Sequence, residues 1–384
     1  MYKKRIVFWA ACAGMLLFGI CLITLGSVAP HLREKLQLDE FSAGTLFSIL
    51  PLGILTGSLF FGPIADKYGY KILLSVCCVF MFAGFEGIAF SPSTGILKIF
   101  IFLFGIGGGA INGSTNSLVA DISDSDKGAD LSLLGVSFGI GALGMPLISG
   151  ILDDYYGFEA ILSFVGFMTL ATGIIFLLIK FPPPKQAQGF PLTQGIKLIK
   201  DKVLLLIALF LFFQSGFEGI INNWTTTYLI SQHSIQQSNA LFGLSSFVAG
   251  MIIMRLLNGS ILRSVSVKNI LVSSFMLILM GLTILRAGNS FGSSLLGLVL
   301  LGAGLASGFP VMLGFVGNRY PEISGTAFSL VLSIALLGNT LVNYGMGIIA
   351  QKFGNQHLIT FAFAETLIMI AICLLVLNRF KNNR

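Results

Sequence analysis

The sequence predicts an all-α polytopic membrane protein of twelve transmembrane helices, arranged as two six-helix repeats with both termini in the cytoplasm. Three observations carry this. Apolar runs of membrane-crossing length recur along the whole of the 384 residues. Lysine and arginine fall overwhelmingly on alternate loops. The chain also superposes on itself, without a gap, at a single offset.

The runs come first. Hydrophobic residues make up 55% of the chain and charged residues only 10%, against about 25% charged in soluble domains. Twelve segments of roughly 20 residues, enough to cross ~30 Å of hydrocarbon, lie near 6–29, 42–61, 72–90, 95–120, 131–150 and 158–179. The second six lie near 203–230, 240–262, 267–286, 293–318, 325–350 and 358–377. Polar residues inside several segments recur with the helical period, and the ~10-residue alternation of a barrel strand is absent.

Charge sets the orientation. With the N-terminus in the cytoplasm, seventeen Lys and Arg fall on that side, five on the other, and Arg255 stays inside a segment. This is the positive-inside pattern, and it requires an even number of helices. The formal charge of +7 is scattered over short loops, so it marks topology and not a nucleic-acid surface. Lys3, Lys4 and Arg5 precede an apolar stretch too long for a signal peptide and without a small-residue cleavage site, which makes it an uncleaved first helix. Cys12, Cys21, Cys77, Cys78 and Cys373 lie in apolar segments without paired spacing. They read as packing residues, and neither a disulfide framework, a metal site nor a cofactor is expected.

The offset is 197 residues. It places Gly19 on Gly216, Gly53 on Gly250, Gly62 on Gly259, Gly84 on Gly281, Gly105 on Gly302, Gly107 on Gly304 and Gly128 on Gly325, with four further glycine pairs beyond these. Glycine recurs at fixed places when helices must approach closely or turn tightly, and such repeats identify architecture. Residues 1–180 form one expected six-helix bundle and 203–384 the other. The linker 181–202 opens on three prolines, closes on Lys197, Lys200 and Lys202, and lies on the cytoplasmic surface.

Between the second and third segments stands Gly62-Pro-Ile-Ala-Asp66-Lys-Tyr-Gly69-Tyr-Lys71. It resembles the loop signature G-x-x-x-D-x-x-G-x-[KR] of the major facilitator superfamily. A degenerate copy begins at Gly259, with Arg263 in place of the aspartate and Lys268 in place of the last basic residue. The resemblance implies the major facilitator fold, with substrate bound at the interface of the two repeats near mid-membrane. Gly62, Asp66, Gly69, Lys71, Arg263 and Lys268 then form a conformational latch. A glycine turn presents a carboxylate to a neighbouring helix N-terminus and to nearby cations, closing the cytoplasmic side until the bundles rock.

A narrower resemblance is to the fucose/glucose–proton symporter group. It rests on Thr24-Leu-Gly26-Ser-Val-Ala-Pro30 in the first segment, Gly107-Gly-Gly-Ala-Ile-Asn112-Gly-Ser-Thr-Asn116 in the fourth, Phe138-Gly-Ile-Gly141-Ala-Leu-Gly-Met-Pro146 in the fifth, and Gly216-Phe-Glu218-Gly-Ile-Ile-Asn222-Asn223-Trp224 in the seventh. Gly250, five residues before Arg255 in the eighth, belongs to the same pattern. Two departures matter. Proton-coupled sugar carriers of this group have glutamate where Asn112 stands, and the fucose branch has aspartate where Gly26 stands, so coupling through those two positions is excluded.

Ionisable residues within hydrocarbon are expensive and mark function. Glu218 lies mid-segment with Gln214 and Asn222 four residues to either side, on one helical face, and Arg255 is its candidate counter-ion. The pair is read either as a structural clamp or as a site where Glu218 binds hydroxyls or carries the coupling proton. Glu86 and Glu365 are expected to snorkel or pack. The amide pairs Asn112/Asn116 and Asn339/Asn343 both donate and accept hydrogen bonds, which suits hydroxyls, or else they join helices. Trp224 offers a face for a pyranose ring. With Thr24, Asn223 and the latch, these residues make up the candidate site. No nucleophile–base pair, nucleotide loop or zinc spacing is present, and the aspartates 121, 124, 126 and 130 are read as a solvated loop.

The expected function is therefore secondary active transport of a small polar solute, a monosaccharide such as a hexose or deoxyhexose, by alternating access. The proton is the candidate co-substrate, and the expected form is a monomer in the cytoplasmic (inner) membrane. The protein is not expected to be an enzyme. Export of drugs or amphipathic metabolites is one alternative, and a non-transporting nutrient receptor is another.

Overall fold

The computed structural model describes residues 2–37, 40–124, 126–152, 155–185, 198–233, 235, 237–288 and 290–381. Most of the linker, Lys197 included, and Arg384 lie outside the described residues. Among the described residues there is helix and no strand. The helices are α1 (Lys4–Leu36), α2 (Glu40–Tyr68), α3 (Tyr70–Phe90), α4 (Thr94–Ile122), α5 (Lys127–Leu152), α6 (Phe158–Leu178), α7 (Lys202–His233), α8 (Gln237–Ser264), α9 (Val267–Ala287), α10 (Phe291–Leu305), α11 (Gly308–Arg319), α12 (Ser324–Phe353) and α13 (Leu358–Lys381). They supply twelve spans long and apolar enough to cross a membrane.

The count matches the sequence, but one segment is not a single helix. The tenth span breaks into α10 and α11 at Ala306 and Ser307. The cause is Pro310: it has no N–H to give the carbonyl of Ala306 four residues earlier, so the ladder loses a rung there. Gly308 flanks the gap and lets the side chain of Gln214 close on it. The amide Nε2 of Gln214 donates to the Leu305 carbonyl at 2.9 Å, while Asn258 Nδ2 donates to Ser307 Oγ at 3.0 Å. Gln214 of α7 thus takes up a carbonyl at the interruption, as irregular backbone at membrane depth requires, and the side-chain pair Asn258–Ser307 braces it from α8.

The chain divides into two compact units. Unit 1 holds residues up to Ile122, then Leu134–Leu192 and Tyr320–Leu330; unit 2 holds Ser123–Leu133, Thr193–Arg319 and Val331–Arg384. Each therefore incorporates the opening turns of a helix, α12 or α5, whose remainder belongs to the other. Within unit 1, α4 packs on α1, α2 and α3, and α3 packs on α6. Within unit 2, α10 packs on α7, α8 and α9, and α9 packs on α13. These are the same pairings displaced by one repeat.

The glycine register reappears as atomic contact. A Cβ on Gly53 would lie 2.4 Å from the carbonyl oxygen of Phe102, and one on Gly250 would lie 2.3 Å from that of Val299, the residue 197 positions on. Gly105 is closed by Leu50 and Gly302 by Phe247 in the same relation, and Gly107 by Cys77 as Gly304 by Ser274. With lipid no more polar than leucine, such close backbone approach supplies much of the association energy.

Gly302 and Gly292 separate this role from mere flexibility. At Gly302 a Cβ would stand 1.9 Å from the Phe247 carbonyl oxygen, whereas at Gly292 it would meet nothing within 4 Å. Gly302→Ala should destabilise the protein by about 1–3 kcal/mol through overpacking, read as an earlier thermal transition in detergent, and Gly292→Ala should leave the transition in place.

Candidate transport site and latches

At one end of unit 1, α2 terminates in the glycine-rich turn. Gly69 sits at φ +82°, a conformation open to glycine at little cost, and α3 starts directly after it. Just upstream, Asp66 is 1% exposed, yet both oxygens of its carboxylate are hydrogen-bonded. Oδ1 accepts from the backbone N–H of Gly325 at 3.2 Å; Oδ2 accepts from the N–H of Thr326 at 2.8 Å and its hydroxyl at 2.7 Å. Asp66 thus caps the first turn of α12 from another helix, placing negative charge at the positive end of the helix dipole. Gly62 makes the approach possible: a Cβ there would lie 2.3 Å from the Gly325 carbonyl oxygen. Ser329 ties the next turn down by donating to the carbonyls of Ser58 at 2.6 Å and Leu59 at 2.7 Å.

Beside this cap lies a second, largely enclosed acid, where a solvated aspartate loop is expected from the sequence. Asp121, at the end of α4, accepts from the Tyr70 hydroxyl at 2.6 Å, from Ser324 Oγ at 2.6 Å and from the ammonium of Lys185 at 2.6 Å. Tyr70 also pairs with Ser117 at 2.8 Å. Far from forming a solvated loop, Asp121 neutralises a cation inside the unit. Lys71, expected in the latch, is exposed and makes no ion pair among the described residues; Lys268 is likewise exposed.

Unit 2 carries the repeat counterpart with its polarity changed. Arg263 stands 197 residues after Asp66 and so cannot accept from a helix N-terminus. Its guanidinium instead reaches Asp130 in the first turn of α5 at 2.6 Å, and Asp130 also accepts from Ser123 at 2.6 Å. Gly259 is closed by Leu133. Ser132 donates to the carbonyl of Arg255 at 2.9 Å, just as Ser329 donates to that of Ser58, both partners displaced by one repeat. Arg263 is half-exposed, so its ion pair is worth less than the buried cap of Asp66.

The polar stripe of α7 lies deeper in unit 2. Gln214 is buried at the α10–α11 break, with its Oε1 unpartnered. Glu218 and Arg255 act on each other electrostatically. On a neighbouring face of α7, Gly219 leaves room for the amides of Asn339 and Asn343. Asn339 donates to the Ser215 carbonyl at 2.8 Å, and Asn223 donates to Asn343 Oδ1 at 2.9 Å. These amides join α7 to α12, with Asn222 and Trp224 half-buried nearby along α7. In unit 1, Asn116 is buried and donates to the carbonyl and side chain of Asn112 on its own helix. Thr24 is fully buried, and its hydroxyl bonds back to Ile20 at 2.7 Å.

Two acids outside the candidate site also find their places. Glu86 accepts from Ser163 at 3.1 Å, joining α3 to α6. Glu365 does not snorkel: it is 3% exposed, and neither carboxylate oxygen has a hydrogen-bond partner. Sequence reasoning missed Lys185, Tyr70, Asp121 and the Asn258–Ser307 pair. Of these, only the break carried a signal, Pro310 two residues after a glycine inside an apolar run.

The three donors on Asp66 allow a graded test. Asp66→Ala strips the cap completely, and Thr326→Val removes only its hydroxyl component. Amide hydrogen exchange at Gly325 and Thr326 should therefore accelerate strongly in the first variant and weakly in the second, the former matching the ~0.5–2 kcal/mol of a lost N-cap.

Comparison with known proteins agrees with the fold. Residues 11–342 match the family model of the Major Facilitator Superfamily. The chain is 26% identical over 345 residues to the glucose/mannose transporter GlcP of Bacillus subtilis (strain 168), covering 86% of this chain and 84% of that protein. It is 28% identical over 183 residues to the 4-hydroxybenzoate transporter PcaK of Pseudomonas aeruginosa, covering 47% of this chain and 40% of that one. Among solved structures, FucP, a transporter of the superfamily crystallised in the outward conformation, aligns with a TM-score of 0.78 at 16% identity over 96% of this chain and 98% of that one. With the twelve spans and a family match running through eleven of them, the chain belongs to the Major Facilitator Superfamily of membrane transporters, which are carriers and not enzymes.

Proposed function

We propose that this transporter moves a monosaccharide by alternating access and that Glu218 carries the coupled proton. The observation that supports the reading most directly is the α7 stripe. A single acid, balanced by Arg255, stands among neutral amides, so its surroundings offer many hydrogen bonds and little net charge. That chemistry fits a neutral polyol, whose hydroxyls donate and accept in turn. The similarity to a glucose/mannose transporter supports the same substrate class. Gln214 Oε1, buried and unpartnered at the helix break, is a ready acceptor for one hydroxyl. Asn222 and Trp224 supply a further amide and a ring face, and Asn112 is the half-buried member of its pair in unit 1. Asn339 and Asn343 serve as interhelical ties to α7 that hold these groups in place, Asn116 bonds back to Asn112 on its own helix, and Thr24 packs within α1.

The orientation follows the charge pattern, with both termini and the linker in the cytoplasm. Asp66 and Arg263 are then two cytoplasmic latches, each holding the opening turns of a helix that continues into the other unit. Releasing both is the step that lets the cytoplasmic side open.

A second reading has one specific support. The arginine in α8 suits an organic anion, and the partial match to a 4-hydroxybenzoate carrier points the same way. In that case Arg255 binds a carboxylate and Glu218 sets when it does so.

Uptake into proteoliposomes, measured over a panel of monosaccharides and aromatic carboxylates with and without an inward proton gradient, separates the two. Saturable, gradient-stimulated sugar flux is expected. Flux of the carboxylates alone would favour the second reading, and no sugar flux would sink the first. Glu218→Gln should cut concentrative uptake by roughly tenfold or more while exchange down a sugar gradient persists; full concentrative uptake in that variant removes Glu218 from coupling.

A further inference from the structure

We propose that Lys185, from the linker between the repeats, is the cation that completes the latch of unit 1, so that the linker sets how readily the latch opens. The proposal rests on the reading of Asp66 as a latch and extends it to a segment outside the motif.

The motif's own terminal lysine, Lys71, points into solvent. The aromatic residue before it, Tyr70, is buried with its hydroxyl on Asp121. Asp121 therefore needs positive charge from elsewhere, and a buried carboxylate left uncompensated is costly. Lys185 supplies it. The Lys185 side chain is 19% exposed and that of Asp121 9%; the ammonium meets the carboxylate at 2.6 Å and also donates to Ser324, the first residue of α12. Its backbone is fixed as well, the Lys185 N–H donating to the Asp66 carbonyl at 3.1 Å. Pro184 closes over the positive-φ glycine of the turn, 3.7 Å from where a Cβ on Gly69 would lie.

One short linker stretch thus touches each part of the latch: the acid that caps α12, the turn that presents it, and the residue at which α12 begins. The three prolines before Lys185 restrict the backbone and lower the entropy lost in holding it there. Ser324 has a double role, donating to Asp121 and facing Lys185, so α12 is clamped by Asp66 at its second and third residues and by the Lys185–Asp121 pair at its first. Lys185 acts through Asp121 and Ser324 and is a positioning residue.

The test uses the full chain in nanodiscs with cysteine introduced at Ala327, a fully buried position in the opening turns of α12. The rate of modification by a hydrophilic maleimide reports how often the latch opens, against the slow background of five buried native cysteines. Lys185→Met should raise that rate by roughly five- to tenfold, Lys185→Arg should restore it towards the starting value, and added salt should narrow the difference. In an Asp121→Asn background, Lys185→Met should add little, because the partner charge is already gone. An unchanged rate in Lys185→Met, or an equal increase with and without Asp121, overturns the proposal. Asp66→Ala measured alongside keeps the two ideas apart: if it fails to raise the rate, the latch reading itself falls; if it raises the rate and Lys185→Met does not, only the linker's part falls.

Discussion

Close backbone approach between helices underlies everything else in this molecule. In hydrocarbon no hydrophobic gain drives helices together, so contact must come from packing and from hydrogen bonds made inside the protein. Here that is achieved by setting glycines against carbonyl oxygens of the neighbouring helix, at matching places in both repeats. The wall so built is rigid enough for polar side chains to be placed with purpose. Gln214 can plug a helix break, and Asn339 can cross to Ser215, only because the helices that carry them are held at fixed separations.

The same logic governs the charged groups. Charges taken out of water inside a protein are retained where they are paired and hydrogen-bonded. Asp66 meets three donors, and Asp121 is shared by a tyrosine, a serine and a lysine. Both are acids whose negative charge is held by the start of α12. In the second repeat the corresponding loop residue is basic, and the acid has moved to the helix it grips, Asp130 standing one repeat before Ala327. The contact survives with its signs redistributed, which a motif written as letters cannot express.

How much could be read beforehand follows from the range of each interaction. Spans were legible because hydrocarbon imposes a minimum apolar length on every one of them. The repeat was legible because a glycine forced by a backbone contact cannot drift. The cap on α12 was foreshadowed by the aspartate in its glycine turn, since a carboxylate so placed needs N–H donors. By contrast, Lys185 joins residues 64 and 139 positions away, and nothing in the local composition of a proline-rich linker points to Asp121. A run of aspartates such as that of the α4–α5 region usually faces solvent, yet Asp121 and Asp130 pair with cations. Of the two roles open to Glu365, snorkelling or packing, its burial leaves packing.

The interruption of the tenth span changes what that helix can transmit. A continuous helix behaves as a stiff rod, so a tilt imposed at one end arrives at the other. With the rung at Ala306 missing, α10 and α11 form a jointed rod whose pieces can lean by different amounts. The joint is held by side chains from α7 and α8, the two helices that also carry Glu218 and Arg255. The polar stripe of α7 and the joint are therefore mechanically linked: any displacement of Gln214 from the Leu305 carbonyl would loosen the helix at its middle.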